Sequence, residues 1–141
     1  MGRSIVAVFL GWAASLVVIV AVEALSHHLF PLPPGSDVWN ASQLAAAGPA
    51  IPSGALALVL AGWVAGALAG GFLAGRLVQR RQHAHAVAVG LVVLASAIWT
   101  MLTLPHPAWM WVASILLIPA AGWVGGALAM GMTRRPSRAA P

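Results

Sequence analysis

The sequence contains no cysteine, which removes disulfide frameworks, thiolate zinc sites, iron–sulfur clusters and cysteine nucleophiles together. Lysine and tyrosine are absent too, and the only acids are Glu23 and Asp37. Charged residues make up 6% of the 141 residues and hydrophobic ones 61%, whereas soluble globular domains carry about 25% charged residues. That imbalance excludes a soluble domain and points to a membrane protein. All seven basic residues are arginines and bring the formal charge to +5. They sit in three small clusters beside apolar runs, an arrangement that fits membrane orientation rather than nucleic-acid contact. The expected partner is the lipid bilayer, with a homo-oligomer or a larger membrane complex left open, and no nucleic acid. No Ser/His/Asp set, paired carboxylates, glycine-rich nucleotide loop or HExxH helix occurs, so an enzyme has no positive support and no cofactor or metal is expected.

A spanning helix needs about 20 mainly apolar residues. Four stretches qualify: Ile5 to Leu25, Gly54 to Arg76, His85 to Leu104 and Ala108 to Met132. The expected fold is all-α, one membrane domain over residues 1–141, with helices side by side in a polytopic four-helix bundle. Val22-Glu23-Ala24 imitates a signal cleavage site, but the run from Ile5 to Val22 exceeds the roughly 7–15 apolar residues of a signal peptide, so helix 1 is expected to remain as a span.

Short cytoplasmic loops are enriched in Arg and Lys. Arg3 precedes helix 1, Arg76, Arg80 and Arg81 lie between helices 2 and 3, and Arg134, Arg135 and Arg138 follow helix 4. Both termini are therefore expected in the cytoplasm, with the 26–53 loop and the Pro105-His106-Pro107 turn outside, in a bacterial inner membrane. In the outer loop, Pro31, Pro33 and Pro34 exclude helix around them. Ser36 or Asp37 can then cap a short interfacial helix over Val38 to Ala47, carrying Trp39 and Leu44 and ended by Gly48-Pro49. Asn40-Ala41-Ser42 matches a glycosylation sequon of low specificity.

Residues 61–69 read AGWVAGALA and residues 121–129 read AGWVGGALA, agreeing at eight of nine positions. The match suggests a 2+2 internal repeat in which both copies share one orientation. Gly62, Gly66 and Gly70 form one stripe on helix 2, and Gly122 and Gly126 the equivalent stripe on helix 4. Such stripes let backbones approach closely in lipid. Gly71 and Gly75 extend a second small face, where Gly75, nearer the interface, is expected to tolerate a side chain. Trp63 and Trp123 are expected to fill space beside the glycines. Pro119 is expected to kink helix 4 and free the Ile115 carbonyl.

Helices 1 and 3 hold the polar residues: Ser15, Glu23 and His27 on one, Ser96, Thr100 and Thr103 on the other. Those sides are expected to face the bundle interior, although Ser and Thr in spans usually bond their own helix carbonyls. Glu23 is the only acid in any span, and an ionisable group there is a functional candidate because its burial is unfavourable. His27, one turn on, is its natural partner, and His106 in the Pro105–Pro107 turn lies on the same side of the membrane; His28 points away. A charge-assisted Glu23–His27 hydrogen bond is the simplest expectation. Proton or ion handling through Glu23, and a metal or haem site built from Glu23, His27 and His106, are the alternatives. His83 and His85 are expected at the cytoplasmic interface.

The segments VEALSHHLFPLPPG, LAGWVAGALAGGFLAGRL and LPHPAW together resemble a group of small uncharacterised bacterial four-span membrane proteins over nearly the whole chain. That resemblance implies the architecture and no activity. The chain is also distantly similar to the small multidrug-resistance transporters in length, span count and a helix 1 glutamate, which implies proton-coupled transport. It departs from them in placing Glu23 near the membrane surface, in its long first outer loop and in an arginine asymmetry that fixes one orientation.

Overall fold

In hydrocarbon every backbone polar group must be satisfied within the protein, and an isolated apolar run achieves this only as a helix. The computed structural model describes residues 2–31, 40, 42 and 51–133. It carries four long helices: α1 (Gly2–Leu29), α2 (Ser53–Leu77), α3 (Gln82–Thr103) and α4 (Ala108–Thr133). Each is long and apolar enough to cross a bilayer, which makes the chain a multi-pass, all-α membrane protein.

The helix ends differ from the sequence expectation where no breaker intervenes. α1 runs on through Ser26, His27, His28 and Leu29, and closes with the Phe30 N–H donating to the Ser26 carbonyl at 2.8 Å, just before Pro31. At about 1.5 Å per residue its 28 residues span roughly 42 Å, so its ends pass beyond a hydrocarbon core about 30 Å thick. α3 begins at Gln82 rather than His85, because Gln-His-Ala contains nothing that breaks a helix. Arg81 makes the turn before it in the left-handed region, at φ 55. The interfacial helix expected over Val38 to Ala47, with Ser36, Asp37, Trp39 and Leu44, lies outside the described residues. The same holds for Arg134, Arg135 and Arg138. Within the sequon, the Asn40 Oδ1 accepts from the Ser42 N–H at 3.2 Å and the Ser42 hydroxyl at 2.7 Å.

α2 packs against all three other helices, α3 fills the space beside it, and α1 and α4 stand at opposite corners. The glycines explain how α2 manages this. A Cβ on Gly62 would meet Val22 at 3.1 Å, one on Gly66 would meet the Ser15 carbonyl at 2.9 Å, and one on Gly70 would run into the Gly11 carbonyl and the Ser15 hydroxyl. On another face of α2, a Cβ on Gly71 would stand 2.7 Å from the Gly122 carbonyl of α4. Gly122 and Gly126 also face α3: their Cβ positions lie 3.0 Å from the Ala86 carbonyl and 2.7 Å from the Ala86 Cβ. Lipid is as apolar as the side chains, so contact at this range supplies what a hydrophobic effect cannot. Gly75 differs from its expectation: it is buried, and a Cβ there would lie 2.9 Å from the Ala129 Cβ. α4 continues unbroken through Pro119, against which Gly90 of α3 packs.

The buried face of α3 is Ala86, Val89, Gly90, Val93, Ala97 and Met101. Ser96 and Thr103 are exposed, contrary to the expected interior stripe. Their hydroxyls donate to carbonyls of their own helix, Ser96 to Val92 at 3.1 Å and Thr103 to Thr100 at 2.9 Å, with Thr100 donating to Ser96 at 3.1 Å. A hydroxyl satisfied in this way can face lipid at little loss, so the stripe carries no information about the core. The interior holds Ser15 and Ser114 instead, the first donating to the Gly11 carbonyl at 3.1 Å and the second to the Met101 sulfur at 4.0 Å.

Candidate functional site

The contact of Gly62 with Val22 sets the register between α1 and α2, and that register brings the next residue of each helix together. Glu23 is half-buried, and its carboxylate has the indole N–H of Trp63 as a hydrogen-bonding partner. Trp63 is 4% exposed, the most enclosed large side chain of α2. An indole has a single donor and no acceptor, so a carboxylate from the neighbouring helix is a matching partner. Ionised, the carboxylate makes this a charge-assisted bond of the stronger kind.

His106 reaches the same indole. Its ring centroid lies 6.3 Å from that of Trp63 at 44°, a tilted aromatic contact. The turn that carries it is held locally: the His106 Nδ1 lies 2.8 Å from the Leu104 carbonyl, and since that oxygen only accepts, Nδ1 holds the proton. Leu104 closes α3 by donating to Thr100 at 3.0 Å, and Met110 opens α4 by donating to Pro107 at 3.0 Å. Two helices and the α3–α4 turn therefore converge on one tryptophan at this end of the bundle.

His27 takes a different place from the one expected. It is exposed on α1, while the hydrogen-bonding partner of the Glu23 carboxylate is Trp63. His28 is exposed as well. Glu23, His27 and His106 thus share a neighbourhood whose common neighbour is an indole. Among the described residues no group of three His, Cys, Asp or Glu side chains could hold a metal ion, so the metal alternative lacks its geometry. Sequence reasoning missed Trp63 as a site residue. The usable signal was its place in the N-terminal half of α2, immediately after a glycine that lets α1 approach.

Trp123, which shares the local sequence of Trp63, behaves differently. It is 53% exposed and does not fill interior space. Its indole stacks on the His83 ring at 5.3 Å and 13°. His83 Nδ1 is enclosed without a hydrogen-bond partner among the described residues, and Gly126 lies beneath it. His83 is therefore seated on α4, whereas His85 bonds locally, its Nδ1 2.9 Å from the Arg81 carbonyl.

The orientation arginines with described positions, Arg3, Arg76, Arg80 and Arg81, are all exposed and lie at the start of α1, the end of α2 and the α2–α3 turn. No family model, curated protein or solved structure matches this chain.

Proposed function

We propose that the chain is a non-enzymatic packing, accessory or interaction component of a bacterial inner membrane, with both termini in the cytoplasm. The seat of Glu23 carries this conclusion. The only acid among the described residues is engaged by a buried indole of the next helix, an arrangement that ties α1 to α2 and, through His106, to the α3–α4 turn. The sidedness is supported by the described arginines, Arg3, Arg76, Arg80 and Arg81, which collect at one end of the bundle. The inner-membrane assignment is supported by the resemblance to small bacterial four-span proteins.

The 2+2 repeat belongs to the same proposal. It is supported by the nine-residue match and by equivalent packing in each half: Gly62 and Gly66 face α1, the first helix of their unit, as Gly122 and Gly126 face α3. Two copies of a two-span unit share one orientation and relate by a pseudo-twofold axis along the membrane normal.

A half-buried ionisable group inside a span also supports a second function, a small proton-coupled transporter using Glu23. Vesicles containing the purified chain and its Glu23→Gln variant separate the two. A tie leaves no proton-dependent flux to lose, and a larger partner copurifies in fixed ratio with both proteins. Proton-dependent flux that disappears in Glu23→Gln, with the fold retained, selects the transporter.

A further inference from the structure

α1 and α3 run parallel and touch at Gly11, where a Cβ would stand 2.9 Å from a methyl of Val89. Between their N-terminal halves lies a groove of about 660 Å³, within the roughly 300–1,000 Å³ typical of sites that enclose a small molecule. Its long wall is apolar: Val8, Phe9 and Trp12 from α1 face Ala88 and Val92 from α3. Phe9 is 59% exposed, so this wall opens sideways into the bilayer.

The end of the groove nearest the helix N-termini is polar, lined by Ser4, Arg81 and His85. Arg81 is exposed. No described acid offsets it: Glu23, the only acid among the described residues, lies 19 residues beyond Ser4 on α1, roughly 28 Å away at 1.5 Å per residue. Positive charge at headgroup depth and an apolar trough below it together describe an amphiphile with a negative head.

We propose that the groove between α1 and α3 binds one anionic phospholipid, its phosphate at Arg81 and an acyl chain along Val8, Phe9, Trp12 and Ala88. Charge complementarity selects an anionic head over a zwitterionic one, and the sideways opening selects a molecule of the bilayer over one dissolved in water.

Native mass spectrometry of the full chain in a neutral detergent tests this, with dioleoylphosphatidylglycerol and dioleoylphosphatidylcholine as probes. The first phosphatidylglycerol is expected to bind roughly fivefold more tightly than phosphatidylcholine, given one arginine at the head worth about 1 kcal/mol. Arg81→Gln should remove most of that preference, and Ala88→Phe, which fills the trough, should weaken both lipids. Unfolding temperatures measured without lipid show whether each variant is folded; if Arg81→Gln is not, Ser4→Ala combined with His85→Gln probes the same head site. Inorganic phosphate at millimolar concentration should not displace the lipid. Equal binding of the two lipids, a preference unchanged in the folded variants, or displacement by inorganic phosphate would each overturn the proposal.

Discussion

Replacing Gly71 with alanine adds one methyl where the backbones of α2 and α4 are in contact. The new Cβ would stand 2.7 Å from the Gly122 carbonyl and 3.1 Å from its Cα, both backbone atoms that cannot rotate aside, whereas ordinary contact begins at 3.4 Å. Relief therefore needs the helices to part by about 0.7 Å, and a gap of about 0.5–1 Å forfeits a quarter to a half of each affected contact. Overpacking of this kind destabilises by roughly 1–3 kcal/mol. Alanine returns up to about 1 kcal/mol of helix propensity relative to glycine, so the net loss is on the order of 1 kcal/mol. Gly131 supplies the matched control, because a Cβ there meets nothing within 4 Å. Gly131→Ala should be neutral or stabilising. Reversible unfolding in mixed micelles, by titration with a denaturing detergent, reads both variants on one scale. Equal or greater stability of Gly71→Ala relative to Gly131→Ala would refute the claim that backbone proximity between α2 and α4 holds the bundle.

The remaining predictions concern the site and the topology. Trp63→Phe leaves the Glu23 carboxylate without its indole donor and should destabilise by about 1–3 kcal/mol, while Trp123→Phe, at a half-exposed position, should change stability much less; the reverse order in the same unfolding assay would remove Trp63 from the centre of the site. Elemental analysis of the purified chain should find no stoichiometric metal; one metal per chain, lost in both Glu23→Gln and His106→Ala, would restore a metal site at this end. Reporters fused within residues 77–84 and after Arg138 should read cytoplasmic, and one inserted at Gly35 external. A cytoplasmic signal at Gly35 would invert the proposed sidedness.

The four spans were legible because a run of about 20 apolar residues has few alternatives to a membrane helix. The ends were less so: Gln82-His83-Ala84 and Ser26-His27-His28 are polar enough to suggest loops, yet contain no breaker, and both are helical. The polar stripe on α3 misled because Ser96 and Thr103 satisfy their hydroxyls within the helix and are free to face lipid. Trp63 and Trp123 show the limit most directly. They share seven of eight neighbouring residues, yet one is 4% exposed and the other 53%. Their burial is decided by which helix crosses them and at what depth, and local sequence holds neither quantity. For the same reason the neighbourhood of Glu23 and His106 could be anticipated from topology, but not the indole between them, which depends on the register of Gly62 against Val22.

The central claim is that Glu23 acts as a tie to Trp63. A double-mutant cycle of Glu23→Gln and Trp63→Phe, read as unfolding free energy in one detergent, measures that tie directly. Residues in contact couple by about 0.5–3 kcal/mol, whereas independent sites add to within roughly 0.3–0.5 kcal/mol. A coupling energy of about 1 kcal/mol or more is the predicted result. Strict additivity of the two substitutions would contradict it, and with it the structural role assigned to Glu23.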